Sequence, residues 1–337
     1  MRLTRAALAC AFALTAVPSA SAQQINLYTT REPGLIQPLV DAFTKQTGIT
    51  INSIFVRDGL AERVAAEGTR SPADVLMTVD IGALIHLVDQ KLTQPVRSKT
   101  LESAIPANLR GPAGEWFALS LRARVVYAHA GAGVTAMTYE QLADPKWAGK
   151  ICSRAGQHPY NTALIAAYIA HHGEAKAETW LRGLKAGLAR NATGGDRDGA
   201  RDIFGGICDL AIGNSYYVGL MRSGKGGAEQ QKWADAMKVV LPTFEGGGTH
   251  VNVSGAAIAT HAPNRDAAVR FLEFLVSDAA QKIYAEANFE YPVKPGVAAH
   301  PIIAAFGPLR VDALPLAEIA RHRAAASRLV DKVGFDR

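Results

Sequence analysis

Gln24-Ile-Asn-Leu-Tyr28, Leu35 to Gln46 and Ile49 to Val56 follow one another directly, and Pro72-Ala-Asp-Val-Leu-Met-Thr-Val-Asp80 runs on into Ile81 to Lys91. Ile25 and Leu27 alternate with polar neighbours, the period of a strand. Leu35, Leu39 and Phe43 recur at helical spacing, and Gly48 closes that helix. Ile49 to Val56 reads as a second strand and Leu60 to Glu67 as a short helix. The stretch ending at Asp80 is a third strand, followed by a helix. Strand and helix in strict alternation predict a parallel sheet covered by helices, hence an α/β fold.

Downstream, Trp116 to Tyr127 reads as a pair of extended segments, with Leu121 to Ala128 leading into a second domain. Tyr139 to Trp147 is a helix and turn, and Lys150-Ile-Cys152 begins a strand. Helices are expected at Asn161 to His171 (capped by Asn161), Ala175 to Leu188 and Asp196 to Phe204. Ile207 to Ile212 is a short apolar strand and Trp233 to Leu241 an extended segment. Ala256 to Thr260 is a strand back in the first domain. Arg265 to Val276, Ala279 to Glu286 and Leu316 to Val333 complete the helices. The chain thus leaves its first domain near residue 125 and returns near 242. The expected division is 23–125 plus about 242–295, and 126–241 plus about 296–337. Two domains joined by two crossings enclose a cleft, where small ligands bind and hinge motion acts.

The 337 residues are 48% apolar and 20% charged, as in an ordinary soluble globular protein. The formal charge of +6 is scattered over the chain, which argues against a nucleic-acid surface. Residues 1–22 read as a signal peptide: Arg2 and Arg5, an apolar run from Ala6 to Val17, and Ala20-Ser-Ala22 before a cut at Gln23. Its removal lowers the charge to about +4, and the mature chain is expected in the periplasm. Cys10 lies too early in the apolar run to be a lipidation site. That leaves Cys152 and Cys208 in an oxidising compartment, where a disulfide is expected. Tyr160 and Tyr216 each follow one of these cysteines by eight residues. Pairing the cysteines would bring both tyrosines to one place.

No enzyme signature is present in the sequence. Gly219-Leu-Met-Arg-Ser-Gly-Lys-Gly226 lacks the magnesium-binding hydroxyl of a phosphate loop and reads as a surface turn. His171-His172 suits a helix end, and His250 reads as a structural hydrogen-bonding residue. Tyr216-Tyr217 lies where a strand hands over to a helix, with Asn214 or Ser215 as the cap. That doublet alone leaves core packing and ligand binding equally open. With Tyr160, Arg31 and Arg122 it forms a constellation of another kind. Phenolates are hard anionic oxygen donors that suit a small cation of charge +3. An arginine holds a small anion through paired donors.

Several stretches resemble the ferric-iron-binding periplasmic proteins of bacterial ABC importers. They are Leu27-Tyr-Thr-Thr-Arg-Glu-Pro33, Ser71 to Asp80, Leu121-Arg-Ala-Arg-Val-Val-Tyr127, Leu142 to Cys152, Cys208-Asp-Leu-Ala-Ile-Gly-Asn-Ser-Tyr-Tyr217, Gly248 to Gly255 and Asn288-Phe-Glu-Tyr-Pro292. The resemblance implies a type II periplasmic binding protein fold, a monomer, and delivery of Fe(III) to an inner-membrane permease. It places the metal ligands on Tyr160, Tyr216 and Tyr217. It places a carbonate-like synergistic anion on Arg31 and Arg122. Some members carry a His-Tyr pair after the first-loop arginine; here Glu32-Pro33 stands there, as in the subgroup that relies on three tyrosines and an anion. Tyr28 is expected to be structural. The alternatives are a same-fold receptor for a small organic ligand such as a polyamine or thiamine, and an exported hydrolase.

Overall fold

β1 (Gln24–Thr29) pairs in parallel with β2 (Thr50–Phe55) on one side and β3 (Val75–Thr78) on the other in the computed structural model, which describes residues 23–337. Residues 1–22, read above as a signal peptide, lie outside the described residues. Helices Pro33–Thr47, Leu60–Glu67 and Ile81–Asp89 connect and cover these strands, as the periodicity predicts. Ile36, Leu39, Val40 and Phe43 form the buried face of the first helix. Gly48 ends it in the left-handed conformation (φ 73°) that glycine adopts at little cost.

The remaining strands are β4 (Thr93–Gln94), β5 (Phe117–His129), β6 (Ile151–Cys152), β7 (Leu210–Asn214), β8 (Met237–Val240), β9 (Val251–Ala259) and β10 (Tyr291–Pro292). The main order is β2-β1-β3-β9-β5-β7-β6. Beyond β3 the sheet is no longer purely parallel: β9 runs antiparallel to both β3 and β5, and β5 is antiparallel to β7.

β5 is one continuous strand rather than two extended pieces. It is buried from Phe117 to Ala128 and changes partners midway. Phe117 to Ala123 pair with β9, whereas Arg124 to His129 pair with β7 and β8. The change of partner falls at Ala123/Arg124.

Four local expectations are corrected. Ala228–Asp235 is a helix, and only Met237–Val240 of the segment ending at Leu241 is extended; Ala, Glu, Gln and Lys favour helix after the Gly227 turn. β7 begins at Leu210, because the Gly205-Gly206 turn leaves Ile207 half-exposed and outside the ladder. The helix carrying Tyr160 starts at Pro159 and is capped by His158, whose ring accepts the Tyr160 amide (3.2 Å). Asn161 is instead buried against Arg124. The C-terminal helix is two, Leu316–Arg321 and Arg323–Val333, broken at His322.

The Cys152–Cys208 disulfide joins the end of β6 to the approach of β7 (Cα–Cα 5.9 Å). No helix among the described residues is long and apolar enough to cross a membrane.

Candidate ferric-ion site

Two helix N-termini meet at the cleft. Helix Pro159–His172 presents Tyr160 in its first turn, and helix Ser215–Arg222, which follows β7 directly, presents Tyr216 and Tyr217. The parallel β6–β7 pair and the disulfide hold the two approaches side by side. The Tyr160 and Tyr216 hydroxyls stand 3.4 Å apart, and the Tyr216 and Tyr217 rings lie 4.1 Å apart. All three phenols line a cavity of about 480 Å³, together with Arg31, Arg122 and Glu290. A larger cleft of about 750 Å³, lined by Pro106, Tyr291 and Val311 among others, contains none of these groups.

Burial dominates the electrostatics. It pushes the Tyr216 hydroxyl well above the ordinary phenol range, and the charge of Tyr160 adds to the effect. Tyr217 is raised for the same first reason. Three guanidinium groups face the rings: Arg154 and Arg122 lie 5.1 and 5.6 Å from the Tyr160 ring, and Arg197 lies 5.7 Å from that of Tyr217. Burial pulls the Arg122 pKa down, but negative charge at Tyr160, Glu290 and Tyr216 outweighs it and the net direction is up.

Arg31 and Arg122 are both buried at the cavity wall. Arg122 donates through Nη2 to the Val79 and Val253 (3.0 Å) carbonyls, and its Nε is buried without a partner. Arg31 donates through Nη2 to Ser254 and to both oxygens of Glu290 (2.9 and 3.0 Å), and its Nε is also orphaned. Ser120 donates to Glu290 as well. Burial pushes the Glu290 carboxyl up, but Arg31, Arg122 and the Ser120 hydrogen bond overcome it and hold it below the usual range.

The sequence reading gave no role to Glu290. Its signal was a lone carboxylate in the apolar run Phe289 to Val293. It also missed Arg154, Arg197 and Asp196. Asp196 binds Arg124 (2.7 Å) and Arg154 (3.2 Å) behind the tyrosines. Tyr28 is structural, buried with its hydroxyl on Glu67 (3.0 Å). The hydrogen-bonding role expected of the His250 side chain is corrected: both ring nitrogens are buried without a partner, and only its backbone bonds, to Tyr139 and Arg124. His171 and His172 bond Asp312 (3.1 Å) and Glu140 (2.7 Å).

Among the described residues no group of three or more His, Cys, Asp or Glu side chains is placed to hold a metal ion. The hard oxygen donors that line this cavity are the three phenols and the carboxylates of Glu32 and Glu290. The family of bacterial extracellular solute-binding proteins matches residues 28–282. Iron uptake protein A2 of Synechocystis is 43% identical over 321 residues, covering 94% of this chain and 91% of its own.

The chain belongs to the ferric-binding branch of the bacterial extracellular solute-binding proteins.

Solved structures of this branch overlay it closely. A Bordetella ferric binding protein is 62% identical, with TM-score 0.90, and covers 94% of this chain and 100% of its own. The Trichodesmium protein solved in complex with iron and citrate ligands is 41% identical, with TM-score 0.89, and covers 93% and 99%. The fold of this solute-binding protein is accordingly the type II periplasmic one.

Proposed function

We propose that this solute-binding protein carries Fe(III) in the periplasm and delivers it to the permease of an ABC importer. Tyr160, Tyr216 and Tyr217 ligate the ion as phenolates. The observation that carries the reading is the convergence of three phenols from two helix N-termini on one cavity. Helix N-termini favour the negative charge that ionised phenols carry. A cation of charge +3 supplies what burial withholds, a reason for these phenols to release their protons. Relatives bearing iron and ferric-binding names support the choice of cargo.

A small anion completes the shell. The orphaned Nε donors of Arg31 and Arg122 fit a carboxylate-like oxyanion, carbonate among them. Arg31 reaches the site from the domain of residues 23–125 and about 242–295. The tyrosines belong to that of 126–241 and about 296–337. Closure of the two sandwiches the ion, as in hinge-type receptors.

Addition of Fe(III) and bicarbonate to the purified protein should produce a red-orange phenolate-to-metal band. Tyr216→Phe should weaken binding by more than the ~10- to 100-fold typical of an outer-shell change. A colourless protein, or a Tyr216→Phe variant with unchanged affinity, would overturn the reading.

A further inference from the structure

The molecule carries a tie between its two halves that lies outside the ligand set. Asp80 ends the β3 connection and caps helix Ile81–Asp89, accepting the Ala83 amide at 3.1 Å. Its two carboxylate oxygens both receive Nη1 of Arg323, at 2.9 and 3.0 Å, and Asn252 donates to one of them at 2.8 Å. Arg323 opens the C-terminal helix Arg323–Val333, which packs on helix Pro159–His172, the element that carries Tyr160. One partner therefore belongs to the β1–β3 half and the other rides with the tyrosines.

Two details make this pair more than a surface contact. Val79, next to Asp80, offers its carbonyl to Arg122, so the loop that ends at the tie also positions a guanidinium of the site. Gly82 provides the room: a Cβ there would fall 2.5 Å from Nε of Arg323. The end of the Arg323 side chain thus packs directly against the helix turn at Gly82. Its side chain is 21% exposed and that of Asp80 13%, so the pair is only partly screened by solvent.

We propose that Asp80 and Arg323 form a latch across the cleft. The pair holds the two domains together on the side of the site where Arg122 is positioned, and it slows the opening through which cargo leaves. An ion pair present in the closed form and absent in the open one biases that equilibrium by its own differential free energy. The effect belongs mainly to the dissociation rate. The cargo part of the inference rests on the Fe(III) reading above; the closure part does not.

Two variants of the full chain test it. Arg323→Gln removes the charge. Gly82→Ala leaves both charges in place, suits a helix better than glycine, and pushes the guanidinium off its seat. Thermal melts establish that each variant is folded. The first readout is the rate at which excess citrate strips Fe(III), followed by decay of the phenolate-to-metal band. The second is the radius of gyration of the iron-free chain by small-angle X-ray scattering. Both variants should lose iron on the order of tenfold faster, the size expected for one charged hydrogen-bonded pair, with the band position unchanged. Both should also have a larger radius of gyration. Iron loss at the wild-type rate with unchanged dimensions in both variants would overturn the latch. A wild-type chain that binds no iron would defeat the cargo reading alone, and the scattering comparison would still decide the latch.

Discussion

Glu290 fixes the charge of the cavity wall. It pairs with Arg31, and both are buried. Breaking a buried pair by removing one partner leaves an uncompensated charge, at a cost of about 3–5 kcal/mol. Glu290→Gln should therefore lower stability by about that amount at neutral pH, measured by urea unfolding. A carboxyl whose folded pKa is depressed contributes stability above its unfolded value of about 4.3, and that stability is lost as pH falls through the folded value. The gap between variant and wild type should accordingly close in acid. His250 behaves differently. Burial pushes it down to about 3, and neither ring nitrogen has a partner. The unfolded chain takes up the His250 proton near pH 6.5 and the folded chain does not, so stability is present above 6.5 and falls as pH drops toward 3. Between pH 6.5 and 5 this amounts to about 2 kcal/mol. His250→Leu should remove that slope from the melting temperature without loss at pH 7, because no side-chain hydrogen bond is surrendered.

Among the elements, the disulfide reinforces the two-residue strand β6 (Ile151–Cys152) beside β7, while Arg124 on β5 ties helix Pro159–His172 in through Asn161 and holds β7 through Asn214. With a sequence separation of 56, the chain-entropy model assigns the bond about 4 kcal/mol. Reduction, or a Cys152→Ser/Cys208→Ser double variant, should lower the melting temperature. It should also weaken Fe(III) binding, because Tyr160 and Tyr216 would lose part of their shared frame. An unchanged melting temperature would refute the first expectation, and unchanged iron affinity the second. Elements marked by local apolar spacing and by glycine or aspartate punctuation were legible in the sequence: β1 through helix Ile81–Asp89, and Asp196–Phe204 to the residue. The cysteine spacing also pointed correctly to neighbouring tyrosine segments. What long-range contact decides was not legible. Asp209 interrupts the Ile207 to Ile212 run, but its weight as a strand boundary becomes visible only in the pairing with β5, which starts at Leu210. Asn161 has the chemistry of a cap, but Arg124, on β5, claims it. Glu290 and Arg31 are 259 residues apart, and no local pattern announces their contact.

At the scale of the whole molecule, the proposed ligand set would couple ion capture to proton release. Tyr216 and Tyr217 are held above the ordinary phenol range of about 10, so the ion-free chain at neutral pH keeps these protons. Binding a +3 ion through three phenolates must expel three protons, and affinity then varies with the third power of proton concentration. At constant free Fe(III), the apparent affinity should fall about a thousandfold for each unit of pH lost. Fe(III) bound to the folded chain and not to the unfolded one adds stability; at one hundred times the dissociation constant the gain is about 2.7 kcal/mol. For a chain of this size that raises the melting temperature by roughly 4 °C, an increment that should shrink on acidification as affinity declines. The proton count is the sharper measurement. Titration of Fe(III) in weakly buffered solution should release three protons per ion from the wild-type chain, after correction for hydrolysis of the free ion and for the proton that bicarbonate sheds where it binds as carbonate. Tyr216→Phe should release two. A wild-type count of one or none would mean that the phenols stay protonated when the ion binds and that its charge is met by other groups.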